Sequence, residues 1–283
     1  MPRWKAYLQL ARISNSPTVV SNILAGLILA GPISWDSRWV ALTLGAFLFY
    51  TAGMFLNDVC DTSIDAKERP ERPIPSGVVS QAEAFLLTIL FFGLGAGLTW
   101  WVSFKSFLAS LALVSLIVLY DVWHKSNPIS PLFMGLCRGA VYVVAFASVT
   151  WPPSLKFWYA ASAIVLYILS LTWIARSESN FQLRSIAPAV LPFLPVAYFL
   201  WVGNLSILVM GSASIYVLWT LYSLRFVYRP SSRNIGQAIG HLIAGVSLLD
   251  AMVLASQGTQ PGVLVAFGCF GLTLFFQRFI KGT

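Results

Sequence analysis

Ten runs of predominantly apolar residues, near 17–34, 38–57, 82–103, 106–121, 131–150, 156–176, 186–202, 206–228, 235–255 and 262–280, follow one another along the 283-residue chain with short polar breaks between them. Most have the length of a helix that crosses a hydrocarbon layer about 30 Å thick. Inside that layer no water can satisfy backbone N–H and C=O groups, so a chain so patterned is confined to structures that pair those groups internally. The pattern predicts an all-α, polytopic transmembrane helical bundle of about nine or ten helices, built as a single integral-membrane domain over 1–283. Charge agrees: only 10% of the residues are charged, where a soluble chain carries about 25%.

The net charge of +8 is therefore read by position rather than as a sign of nucleic-acid binding. With the N-terminus in the cytoplasm, Arg3, Lys5, Arg12, Lys67, Arg69, Arg72, Lys125, Arg176, Arg184, Arg225, Arg229, Arg233, Arg278 and Lys281 fall on cytoplasmic ends. The opposite ends hold only Arg38, Lys105 and Lys156, and Arg138 falls inside a run. The positive-inside rule then fixes the orientation and suggests a multi-pass protein of the bacterial inner membrane. The first apolar run is too long, and lacks the small-residue cleavage pattern, to be a removable signal. Cys60, Cys137 and Cys269 are widely spaced with no CxxC pair, which supports neither a disulfide frame nor a zinc site.

Half of the ten acidic residues lie between 58 and 71, at the cytoplasmic end of the second run. In Asn57-Asp58-Val59-Cys60-Asp61-Thr62-Ser63-Ile64-Asp65 the aspartates are spaced i, i+3, i+7, so on a helix all three share one face. Three carboxylates at membrane depth are costly unless paired or bound to metal. A hard cation of the Mg²⁺ type, completed by phosphate oxygens, is one remedy; pairing with Lys67, Arg69 and Arg72 is the other.

The pattern NDxxDxxxD followed by Arg69-Pro70-Glu71-Arg72-Pro73-Ile74-Pro75-Ser76-Gly77 resembles the first aspartate-rich motif of the UbiA superfamily of intramembrane prenyltransferases. Leu10-Ala11-Arg12 with Asn22 is similar to the segment that begins such proteins, and Tyr120-Asp121-Val122-Trp123-His124-Lys125 to the family's Tyr and Lys pair. The resemblance implies a UbiA-like fold in which Asp58, Asp61 and Lys125 are catalytic and Asp58, Asp61, Asp65 and Glu178 hold Mg²⁺. It likewise implies that Asn57, Arg72, Tyr120, Arg138, Arg12, Asn22 and Arg176 bind substrate. The partners implied are a prenyl diphosphate, a small polar or ring-containing acceptor, and the membrane lipids that border the prenyl groove.

The family's second aspartate motif has only one acid here, Glu178, in the segment 171–184. A weaker second metal held with Asn180 or Gln182, phosphate neutralisation by Arg176 or Arg184, and binding without catalysis all stay open. Together with Leu248-Leu249-Asp250-Ala251, this departure resembles a divergent UbiA-like subgroup from bacterial clusters for secondary-metabolite export or maturation, the Ebo-cluster type. Asp250 stands in an apolar run, and His241 or an arginine is its expected partner. Non-catalytic prenyl-lipid binding and transport are the rival classes. No internal repeat of the kind transporters use is visible.

Overall fold

The computed structural model describes residues 2–32, 36–123, 127–180, 186–202, 205–228 and 233–280, with backbone alone described at 177–180 and 200–202. The described residues are helical with short connections. An interfacial α1 (Arg3–Leu10) precedes α2 (Pro17–Ala30), α3 (Ser37–Glu68), α4 (Gln81–Val102), α5 (Phe104–Trp123), α6 (Ser130–Ala147) and α7 (Leu155–Asn180). A broken stretch, α8 (Ala187–Val190) and α9 (Leu194–Val202), leads to α10 (Ile207–Tyr228), α11 (Ile235–Ser256) and α12 (Gln260–Gln277). Nine helices among the described residues are long and apolar enough to cross a membrane, which makes this an integral multi-pass protein.

The local signals are conventional. Pro17, Pro131 and Pro261 sit in first turns, where a missing N–H costs nothing. Ser80 accepts from the Glu83 backbone N–H, and Asn234 from that of Gln237, each satisfying an orphan donor at a helix start. Close crossings depend on small residues: a Cβ at Gly26 would lie 2.8 Å from the Tyr142 carbonyl oxygen, and one at Gly135 2.6 Å from that of Val165. Such contacts let backbones approach where apolar burial alone does not distinguish helix from lipid.

Two expectations change. The run at 186–202 is not one helix but two short pieces around a 3₁₀ turn at Leu191–Phe193. Pro188, Pro192 and Pro195 remove backbone donors. The carbonyls freed at Pro188 and Pro192 accept instead from the Ser170 and Tyr216 hydroxyls, the latter at 2.6 Å, as broken helices at membrane depth require. The second change is that α3 runs past the apolar run at 38–57 to Glu68, so the acidic stretch forms the last three turns of a 32-residue helix.

Within the bundle α11 is the hub, with 83% of its most apolar stretch buried against 17% for α4. The outer face of α4 presents Phe85, Leu86, Ile89, Leu90 and Leu94, a surface suited to acyl chains. Trp100, Trp101 and Phe104 are exposed at the α4–α5 turn, the level at which aromatic side chains favour the membrane boundary. Gln277 donates to the Asn15 side chain and the Gly240 carbonyl, both at 3.1 Å; Gln81 donates to the Val59 carbonyl and Arg176 to that of Asn127. These bonds gather the starts of α2, α4, α6 and α11 and the ends of α3, α5, α7 and α12 at one end of the bundle.

Candidate functional site

At that end the last turns of α3 meet the turn between α1 and α2. Arg12 stands there in the left-handed backbone region, φ 43° and ψ 47°, a conformation that costs a side-chain-bearing residue about 1–2 kcal/mol. It is held from both sides. The Tyr50 hydroxyl donates to its carbonyl at 3.1 Å, and its guanidinium donates to Asn57 Oδ1 and Asp58 Oδ1, each at 3.1 Å. Burial works against the Arg12 charge, but Asp58 and the nearby Tyr50, Tyr120 and Asp121 outweigh it and leave its pKa above the ordinary arginine value.

Arg72 reaches the same acids from the other side. After Glu68 the chain reverses through hydrogen-bonded turns, with Ser76 N–H donating to the Arg72 carbonyl at 2.9 Å and Gly77 adopting φ 74°. Buried Ile74 and Val79 pin this loop against Ala6, Leu10 and Phe55. The guanidinium lands 2.7 Å from Asp65 Oδ2 and 3.6 Å from Asp58 Oδ1. The i, i+7 pair therefore shares one face as the spacing predicts, and one arginine bridges it. Asp61 lies on the turn between them and is partly exposed.

Asn57 extends the cluster across to α5, its amide donating to Asp121 Oδ1 at 3.1 Å. Tyr120, next door, lies within electrostatic reach of Asp121, Arg12, Arg176 and Asp61. Eight sequence-predicted residues thus gather at this end: Arg12, Asn57, Asp58, Asp61, Asp65, Arg72, Tyr120 and Arg176. Lys125 lies outside the described residues, and Glu178 is placed on α7 with its side chain undescribed. Asp121 belongs to the Tyr120–Lys125 motif, which assigns it no role. The signal was present, since an acid ending an apolar run is an intramembrane acid.

Asn22 and Arg138 belong to a second cluster deeper in the bundle. Arg138 donates to Asn22 Oδ1 at 2.6 Å and to the Thr18 hydroxyl at 3.0 Å, and its guanidinium lies over the Tyr50 ring at 5.7 Å. Asn22 is fully enclosed and donates to Asp250, so it can act on a substrate only through Arg138. Asp250 also accepts from Ser21 and Tyr142, each at 2.5 Å. Of the two partners expected for Asp250, an arginine is in electrostatic reach, Arg138 through Asn22, whereas His241 is not its partner. His241 lies nine residues back on α11, where its ring packs among Trp219, Tyr222 and Phe226.

Among the described residues the mouth cluster offers hard oxygens as ligands: Asp58, Asp61, Asp65 and Asp121, with the Asn57 amide. That donor chemistry fits Mg²⁺ sharing its shell with phosphate. Among the described residues no three carboxylates, histidines or cysteines stand together at metal-holding distances. The physical reason is local, because Arg12 and Arg72 already neutralise Asp58 and Asp65.

The sequence pattern of the UbiA prenyltransferase family matches residues 19–228. A 4-hydroxybenzoate octaprenyltransferase from Yersinia enterocolitica is 26% identical over 187 residues, which cover 64% of this chain. The match spans 63% of that relative's length. Among solved structures, a UbiA homolog from Aeropyrum pernix K1 superposes with a TM-score of 0.71 at 16% identity, covering 85% of this chain and 97% of that one. A UbiA homolog from Archaeoglobus fulgidus bound to GPP and Mg²⁺ gives 0.55 at 14% identity, covering 95% and 98%.

Proposed function

The chain belongs to the UbiA prenyltransferase family, and from that premise we propose that it transfers the prenyl group of an allylic prenyl diphosphate to a small polar or ring-containing acceptor. The observation that carries the reading is the meeting of Arg12 and Arg72 with Asp58 and Asp65 at the mouth of the bundle. Two part-exposed arginines paired with two buried aspartates suit a ligand that brings its own phosphates and cation. The proposed orientation places this mouth and the N-terminus in the cytoplasm of a bacterial inner membrane, within one domain spanning 1–283.

In the reaction the C1–O bond of the prenyl diphosphate breaks with its electrons leaving on the diphosphate. A new bond then joins C1 to the acceptor nucleophile, whose proton is released. Asp58, Asp61, Asp65 and Glu178 would hold Mg²⁺, which when bound would supply positive charge to the leaving group. Arg12 and Arg72 present N–H forks suited to phosphate oxygens. Arg176 adds a cation at this end, Lys125 takes the same role by its motif, and Tyr120 and Asn57 supply hydrogen bonds directed at the leaving group. The apolar interior shelters the prenyl tail and excludes water from the reactive carbon. The homolog bound to GPP and Mg²⁺ supports the ligand class.

The single acid in the segment 171–184 favours a second reading, a prenyl-lipid binding protein of the divergent Ebo-cluster type on the same scaffold. Incubating purified protein with labelled geranylgeranyl diphosphate, Mg²⁺ and cell extract separates the two. A labelled adduct supports transfer, and its mass identifies the acceptor; retention of intact diphosphate supports binding alone. Asp61→Ala should abolish the Mg²⁺-dependent part of geranylgeranyl diphosphate binding. Equal affinity in wild type and variant, with and without Mg²⁺, sinks the proposed site.

A further inference from the structure

Asp250 has no direct path to a substrate. It is wholly enclosed, and Ser21, Asn22 and Tyr142 donate to its carboxylate, with Ser247 joined to Ser21 at 3.0 Å. Its influence passes through one side chain. The Asn22 amide donates from Nδ2 to Asp250 at 2.7 Å and accepts at Oδ1 from Arg138 at 2.6 Å. A reversed amide would set its oxygen against a carboxylate and its NH₂ against a guanidinium, so the charge at 250 dictates which end faces Arg138.

Arg138 is differently placed. It is only partly buried, and among the described residues Asn22 and Thr18 take two of its N–H groups, out of about five that a guanidinium carries. Its neighbour Tyr50 donates to the carbonyl of Arg12, the residue that grips Asn57 and Asp58. Arg138 thus lies one aromatic ring away from the mouth cluster.

We propose that Asp250 is a positioning residue that acts through Asn22 to hold the Arg138 guanidinium toward a polar oxygen of the acceptor, on the membrane side of the diphosphate site. The proposal rests on the transferase reading above. A purely structural ion-pair network would alter how much protein folds and leave activity per folded molecule unchanged.

The test uses Asp250→Asn and the exchange Asn22→Asp with Asp250→Asn, which moves the carboxylate to position 22 while keeping a donor at 250 and an acceptor for Arg138. Transfer from labelled geranylgeranyl diphosphate is measured per folded molecule at several dilutions of extract, beside the affinity for geranylgeranyl diphosphate itself. Asp250→Asn is expected to lower transfer about tenfold to a hundredfold, as misplacement of a substrate-holding group does. Diphosphate affinity should hold, and the exchange should recover most of the loss. Labelling of Arg138 by phenylglyoxal, read by peptide mass spectrometry, should rise in Asp250→Asn and return toward wild type in the exchange. If Asp250→Asn does not fold, the exchange alone decides, through wild-type-like labelling and transfer. Unchanged transfer and labelling in Asp250→Asn, or an exchange that folds without recovering either, overturns the proposal. Absence of any labelled product from wild type counts against the transferase reading, and the labelling arm still decides the relay.

Discussion

The two polar clusters use the same residue types to opposite ends. At the mouth, Asp58 and Asp65 are shared between Arg12 and Arg72, whose side chains keep 21% and 15% of their surface in solvent. In the interior, Asp250 is fully enclosed and its carboxylate receives three side-chain donors. At the mouth the arginines, not the buried aspartates, keep contact with water, so an incoming phosphate can reach the guanidiniums directly. A saturated carboxylate in the core offers no such access, and leaving it unpaired in low dielectric costs several kcal/mol. The first arrangement suits a ligand that comes and goes; the second suits a fixed support.

The strongest way to break this contrast is Asp58→Asn. We expect transfer from geranylgeranyl diphosphate to fall about a thousandfold, equivalent to about 4 kcal/mol of transition-state stabilisation, with little change in unfolding temperature. A large loss of stability would show that the mouth is as fixed as the interior. Asp250→Ala, which strands Arg138 and the donors around it, should lower stability as well as transfer. Unfolding in detergent should show a loss of about 3 kcal/mol; a value near zero would mean that water or other side chains cover the gap. The smallest effect sharpens the account of the broken stretch. Ser170→Ala uncovers the Pro188 carbonyl and should cost about 1 kcal/mol, read in the same unfolding assay, with prenyl transfer unchanged.

Legibility in the sequence followed the range of the interaction. Asp58, Asp61 and Asp65 could be placed together because helical periodicity brings i, i+3 and i+7 to one face without any tertiary contact. Arg72 could be linked to them because the proline-rich reversal is also local. Arg12 and Asp58, 46 residues apart, were joined only by resemblance to a family pattern. The pair Asn22 and Asp250, 228 residues apart, carried no local signal, and the nearest titratable neighbour on the same helix, His241, was a misleading guide. Residues nine apart on a helix are separated by more than two turns along its axis.

Alone, the sequence determined that this chain crosses a membrane many times as helices and that one helix end concentrates acids of a kind suited to phosphate and Mg²⁺. Those properties come from length, hydropathy and period, and each is set by backbone hydrogen bonding and transfer from water over a few turns. Only the tertiary structure decided that Arg12 joins Arg72 in holding the aspartates, that Asp121 reaches the cluster from α5, and that Asp250 faces Asn22 rather than His241. Those pairings depend on which helix faces abut, and in a membrane that choice rests on close contacts such as Gly26 against Tyr142 and on interhelical hydrogen bonds, not on apolarity.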